Sequence, residues 1–181
     1  GKEYRADVSR VLAQDPYASR NNDSPAWTKS SYHWGEPEWG YFLSQDEYVI
    51  RKDMSMLTDA GVDMIIFDVT NAVLYWDEWA VTLRTMAQMK KEGNKVPKFC
   101  FWAFNGNVIT VVHQLYDKYY KNPQYQDLWF YWDGKPLLLC NATPSVDANV
   151  GGGEKNLADY SDEVKQFFTL RNMWWGYYEW A

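Results

Sequence analysis

The sequence predicts an α/β fold in which short parallel strands alternate with helices, and three observations carry that prediction. Runs near residues 62–68, 97–104 and 136–141 are mostly apolar, the mark of strands buried on both faces rather than of half-exposed antiparallel ones. Between them lie segments whose apolar residues recur at helical spacing, so the strands are joined by right-handed crossovers. Each run also ends in Asp or Asn and leads toward aromatic-rich loops. Two architectures fit: part of a (β/α)8 barrel, or a small doubly wound sheet. No Gly-x-Gly-x-x-Gly or phosphate-loop pattern follows any strand, which disfavours a nucleotide-binding sheet. A partial (β/α)8 barrel is therefore the expected fold.

Taken in order, Val8, Val11 and Leu12 form a short amphipathic helix. Asp15-Pro16 ends it, because the residue before proline avoids the helical region. Asn21 to Ser24, followed by Pro25, reads as a loop. Tyr32 to Phe42 carries Gly35, Gly40 and Pro37 among its rings, so it forms no regular helix. It is also too apolar to remain in water, and an ordered loop folded against a cleft is expected. Ser44-Gln45-Asp46-Glu47 reads as a capping box opening a helix with Ile50, Met54 and Leu57 along one stripe. Gly61 ends that helix in the left-handed position, and the strand through Ile65, Ile66 and Phe67 begins there.

A second helix starts near Asp77, a candidate N-cap, buries Trp79, Leu83, Met86 and Ala87, and stops at Gly93-Asn94. The strand from Val96 to Asn105 tolerates Pro97 at its beginning. Asn107 opens a third helix with Val108, Val111, Val112, Leu115 and Tyr119 at helical spacing, ended by Asn122-Pro123. Asp133-Gly134 joins two arms as a hairpin, and its second arm, Pro136 to Asn141, is the third buried strand. Residues 142–160 read as loop, with Gly151 to Gly153 as a flexible tip. Ser161 caps a short helix through Val164, Phe167 and Phe168. The chain closes on an aromatic stretch, Trp174 to Trp180. The length of 181 residues suits a single domain.

Composition narrows the partners. The net charge of −6 argues against a nucleic-acid or anionic-membrane partner, which would require a basic face. No run of about 18 apolar residues is present, so no membrane insertion is expected. Gly1 to Arg10 carries no signal peptide. With 11 Trp and 14 Tyr, the chain has rings suited to stacking on sugars or lining a groove, although some must serve the core. Cys100 and Cys140 fall in strands and read as buried free thiols. No His/Cys/Asp cluster has metal-ligand spacing, so neither a metal nor another cofactor is expected. His33 and His113 read as structural residues.

Asp68, Val69, Thr70 and Asn71 crowd polar groups at the C-terminal end of a strand, where parallel-strand folds place binding and catalytic groups. The plainer alternative is that Asp68 or Asn71 caps the following turn. Asn105 and Asn141 end the other two strands, and an amide both donates to and accepts from hydroxyls. Trp34, Trp39, Trp102 and Trp175 are stacking candidates, and Glu36 and Glu179 are carboxylates within the aromatic stretches.

His33 to Tyr41, the helix end Leu57 to Val62, the strand Ile65 to Asn71 and the hairpin Tyr131 to Pro136 together resemble (β/α)8-barrel glycoside hydrolases of the family 71/99-like type. The resemblance spans most of residues 30–141. It implies a secreted or periplasmic bacterial enzyme acting on a polysaccharide or oligosaccharide, and an incomplete barrel lacking its first strand and C-terminal half. It implies two carboxyl groups flanking a glycosidic bond, one as acid and one as base or nucleophile. Asp68, Glu36 and Glu179 are eligible, Asp68 being the best placed for catalysis or for orienting a hydroxyl. Trp34, Trp39, Asn71, Trp102, Asn105, Asn141 and Trp175 would bind the carbohydrate. The competing readings are a non-catalytic carbohydrate-binding or assembly module, and a glycosyltransferase-like α/β protein.

Overall fold

In a computed structural model, which describes residues 7–27, 37–40, 42–104, 107–142 and 157–172, the chain divides into two compact units, Gly1–Val49 and Ile50–Ala181. In the first, the Asp7 carboxylate accepts from the Arg10 N–H at 3.1 Å and starts helix α1 (Val8–Gln14). The helix stops at Asp15, extended at φ −140° ahead of Pro16, as the proline requires. Asp15 then accepts from the Ser24 hydroxyl at 2.6 Å and from the Tyr17 N–H at 3.0 Å. These bonds, Ser24's first, hold its carboxyl below the usual range.

Helix α2 (Glu47–Asp59) begins one way and not the expected one. Asp46 is its capping acceptor, taking the N–H groups of Tyr48 at 2.9 Å and Val49 at 3.4 Å, rather than Ser44. Asp46 stands immediately before the first helical residue, where a short side chain reaches the unpaired N–H groups. The end of α2 is as expected. Gly61 lies at φ +78°, its N–H donates to Thr58 O at 3.0 Å, and Val62 N–H donates to Leu57 O at 2.9 Å. This paired closure uses a residue in the left-handed region, which glycine enters without steric cost.

The chain then alternates through β1 (Met64–Asp68), α3 (Trp76–Lys91), β2 (Lys98–Trp102), α4 (Val108–Leu115), the hairpin β3 (Tyr131–Trp132) and β4 (Lys135–Leu139), α5 (Asp162–Phe167) and β5 (Thr169–Arg171). Helix α3 starts at Trp76 behind a left-handed Tyr75, so Asp77 lies in the first turn rather than at the cap. Its closure repeats that of α2: Gly93 at φ +87°, with Asn94 N–H donating to Met89 O at 2.9 Å. At the hairpin, Asp133 and Gly134 both have positive φ, 52° and 78°, the tight turn that an Asp-Gly pair predicts. Ser161 caps α5 by accepting from Val164 N–H at 3.3 Å.

The sheet is open, five-stranded and mostly parallel. β1 pairs β2, β2 pairs β4 and β4 pairs β5, all parallel, while β3 is antiparallel to β4. The parallel strands thus follow chain order with no reversal. Direct pairing of β2 with β4 is confined to their C-terminal ends, at Trp102 and Leu139. Toward their beginnings the segment before β3 lies between them. Phe130 N–H donates to Phe99 O at 2.9 Å, and Leu137 N–H donates to Phe130 O at 2.8 Å.

Alternation sends Phe99, Phe101, Leu138 and Leu170 to one face, where they share a core with residues of α2, α3, α4 and α5. Much of the aromatic content is spent there. Tyr120 stacks on Trp129 at 4.0 Å, Trp129 meets Phe99 at 5.0 Å, and Phe67 meets Trp79 at 4.4 Å. The other face carries a smaller cluster of Cys100, Leu137 and Leu139, with Met64, Trp102 and Phe130 against it.

Two expectations need correction. β1 is not buried on both faces: Ile66 is 38% exposed, because among the described residues β1 pairs only with β2 and no helix covers its second face. β5 was not foreseen as a strand; its three residues are too few for a periodic signal.

Phe101→Ala, which deletes a fully buried ring, is expected to cost about 3–5 kcal/mol. Gly93→Ala meets no atom within 4 Å and strains only the backbone, costing about 1–2 kcal/mol. Urea unfolding of both variants checks the ranking, and equal losses would contradict this packing.

Candidate strand-end site

The parallel register sets Asp68, Trp102, Leu139 and Arg171 in one row across β1, β2, β4 and β5. Alternation puts these positions on the sheet face opposite the helices. Neighbouring strands are about 4.8 Å apart, so Asp68 and Leu139, two spacings away, are separated by roughly 10 Å.

Asp68 is exposed and ends β1. Its Oδ1 accepts from Thr70 N–H at 2.7 Å, and Asn71 Oδ1 accepts from Val73 N–H at 3.1 Å. Both residues therefore do close turns, as the plainer sequence reading held. A carboxylate has about four acceptor positions, so one turn bond leaves Asp68 capacity for a ligand. The loop they build is held from below by Val69, fully buried, whose N–H donates to Trp102 O at 2.9 Å. It is also strained, with Ala72 at φ 58° and Tyr75 at φ 35°. Non-glycine residues in this region cost about 1–2 kcal/mol each and concentrate at functional sites.

Asn141 lies two residues beyond Leu139 on the same face by alternation. It is only 6% exposed, and among the described residues its buried Oδ1 has no hydrogen-bond partner. A buried amide oxygen without a donor is uncommon and costly, and a ligand hydroxyl would satisfy it. Trp102 is half-buried against the Cys100 and Leu139 cluster, so its ring serves packing as well as any stacking. Trp39, in the first unit, is 37% exposed and meets Tyr48 edge-on at 6.3 Å. The structure thus brings Asp68, Asn71, Trp102 and Asn141 to one sheet edge. Trp34, Glu36, Asn105, Trp175 and Glu179 lie outside the described residues.

Asn172 is a strand-end amide that sequence reasoning missed. It follows β5, and its Oδ1 accepts from Ala142 N–H at 2.7 Å, joining the ends of β4 and β5. The pattern of strands ending in Asp or Asn was the signal that could have found it. A cleft of about 420 Å³ lies beside the hairpin turn and β5, between Asp133, Lys135, Lys165 and Arg171.

The remaining reactive side chains are structurally engaged. His113 uses both ring nitrogens, toward Ile109 O at 2.8 Å and Ser161 Oγ at 3.1 Å. Cys100 and Cys140 are buried free thiols, each pushed up to about 12 by burial. Among the described residues no group of three or more His, Cys, Asp or Glu could hold a metal ion, and no helix is long and apolar enough to cross a membrane.

No protein-family model matches the chain, and neither a curated protein nor a solved structure matches it.

The thiols give a pH prediction. Their folded pKa values of about 12 lie above the ordinary thiol value of 9.0, so above pH 9 the unfolded chain loses these protons first. Stability should be unaffected by them below that pH and fall as pH rises from 9 toward 12. Native protein should also resist a thiol reagent at pH 8 that modifies both cysteines in urea. Rapid labelling without unfolding would contradict the burial.

Proposed function

We propose that the chain is a (β/α)8-type glycoside hydrolase, of which the parallel sheet forms an arc, acting on a polysaccharide or oligosaccharide. The observation that carries this reading is the unreversed strand order β1-β2-β4-β5 with helices α2 to α5 sharing a core with one sheet face. A doubly wound sheet reverses its order at a switch point, and a barrel does not. In a barrel the second face is the interior, and the strand ends that hold Asp68, Trp102 and Asn141 are the catalytic end.

On this reading Asp68 is one of the two carboxyl groups that hydrolysis needs, with Glu179 as the candidate for the other. Asn71 and Asn141 bind hydroxyls, and Trp102 offers a ring edge beside them. Asn105 and Trp175 are the further proposed carbohydrate contacts. Secretion belongs to the same proposal. A second reading, a carbohydrate-binding module without catalysis, is favoured by one observation: Asp68 already accepts a turn N–H.

Two substitutions separate these readings. Asp68→Asn keeps an acceptor for Thr70, so the fold and turn should persist. Loss of the carboxylate should cut glycan hydrolysis about a hundredfold if it carries proton transfer. Asp68→Ala removes the turn bond as well and should lower stability by about 1 kcal/mol. Hydrolysis of a panel of reducing-end-labelled glycans, with thermal melts of each variant, makes the measurement. Glycan binding without turnover in parent and Asp68→Asn alike would favour the binding module, and neither binding nor hydrolysis would remove both readings.

A further inference from the structure

We propose that Lys98 is a reactive amine that takes the acyl group of a small acyl phosphate, with Lys90 holding the phosphate. Lys98 opens β2, at the other end of the β1–β2 pair from Asp68 and Trp102. The inference therefore does not rest on the carbohydrate reading.

Convergence is the first argument. Lys90 lies in the last turn of α3, and Lys98 is the first residue of β2. Both ammonium groups donate to one carbonyl, that of Asp127 in the turn Pro123–Leu128, with Lys90 Nζ at 3.4 Å. Three elements thus bring two like charges onto a single neutral acceptor. Other lysines are placed differently. Lys121 meets Asp117 at 2.9 Å and Glu163 at 3.4 Å, and Lys165 meets Asp162 at 2.8 Å. Among the described residues neither Lys90 nor Lys98 has a carboxylate within ion-pair distance. An acyl phosphate brings the anion that this pair lacks.

Protonation is the second argument. Lys98 is half-buried, between the buried Pro97 and Phe99 in sequence. Burial first, and then the charge of Lys90, hold its amine below the usual lysine range, while the more weakly acting Asp127 carboxylate opposes them. Lys121 is moved the other way, chiefly by its bond to Asp117. A lysine that is desolvated and set beside a second cation is a nucleophile where ordinary lysines are charged and inert.

The step balances without a further reactant. The neutral Lys98 nitrogen attacks the acyl carbon, a C–N bond forms, and the bond from that carbon to the phosphate oxygen breaks. The bonding pair and the proton shed by nitrogen leave together as hydrogen phosphate, beside the Lys90 ammonium. The product amide keeps one N–H for Asp127 O, and the contact between like charges is gone.

The test incubates the whole chain with acetyl phosphate at about pH 7.5. Remaining amines are then capped in urea with deuterated acetic anhydride, and mass spectrometry reads the acetyl occupancy of each lysine. Lys98 is expected to react about tenfold faster than Lys121, the ratio that one unit of separation between two amines gives. The preference should vanish when acetyl phosphate is added in urea. In Lys90→Gln, Lys98 should slow about tenfold toward acetyl phosphate, and less toward acetic anhydride, which carries no phosphate to hold. Lys90→Arg keeps the cation and should keep most of the rate. Equal rates at Lys98 and Lys121 in native protein would overturn the proposal. So would an undiminished Lys98 rate in a folded Lys90→Gln. Equal slowing of that variant toward both reagents would overturn it as well, because Lys90 would then act on the amine alone.

Discussion

The backbone of one residue, Phe130, holds the sheet together at its weakest seam. β2 and β4 meet directly only at Trp102 and Leu139, and toward their beginnings they diverge. Phe130 fills the gap, donating to Phe99 O and accepting from Leu137 N–H. Without it two buried strands would leave polar backbone groups unpaired, which costs about as much as lost hydrogen bonds. The same segment sends Trp129 into the helix-side core, where it stacks on Tyr120 and meets Phe99. Backbone continuity across the sheet and aromatic packing beneath it thus depend on one short stretch.

The two sheet faces then take different roles. The helix side is filled by large rings and aliphatics from four helices and is closed to water. The other side holds a thin cluster, and its polar groups stand at the strand ends: Asp68 in a strained turn, and Asn141 with a buried oxygen in want of a donor. Strain and an unsatisfied acceptor both oppose folding, so their presence on one edge of a well-packed sheet is informative. A core that is saturated on one side can carry such costs on the other.

Most of the fold was legible because its signals are local. Gly61 and Gly93 end helices through left-handed closures that involve only neighbouring residues. Asp133-Gly134 makes its turn, and Pro16 and Pro123 limit their helices, for equally local reasons. What escaped depends on residues distant in sequence. β5 is a strand because Cys140 N–H and the β4 backbone pair with it, and three residues leave no period to read. The exposure of Ile66 follows from what fails to cover β1, which an apolar run cannot reveal. The cap of α2 fell to Asp46 because two short acceptor side chains, Ser44 and Asp46, stood two residues apart ahead of the helix. At the candidate site, Asp68, Asn71 and Asn141 were legible as polar residues ending apolar runs. The orphan oxygen of Asn141 was not, since satisfaction is a property of surroundings rather than of residue type.

The hairpin that follows Phe130 bears on how the chain finds this arrangement. Its two arms are brought together across a turn of two residues, so little chain entropy is lost in joining them. The β2 and β4 strands are separated by a helix and a further loop, and their union fixes far more of the chain. Phe130 belongs to both pairings at once. The cheap, local closure therefore positions the very group on which the expensive, distant one rests, and the hairpin serves the sheet as a splint made before the joint it supports.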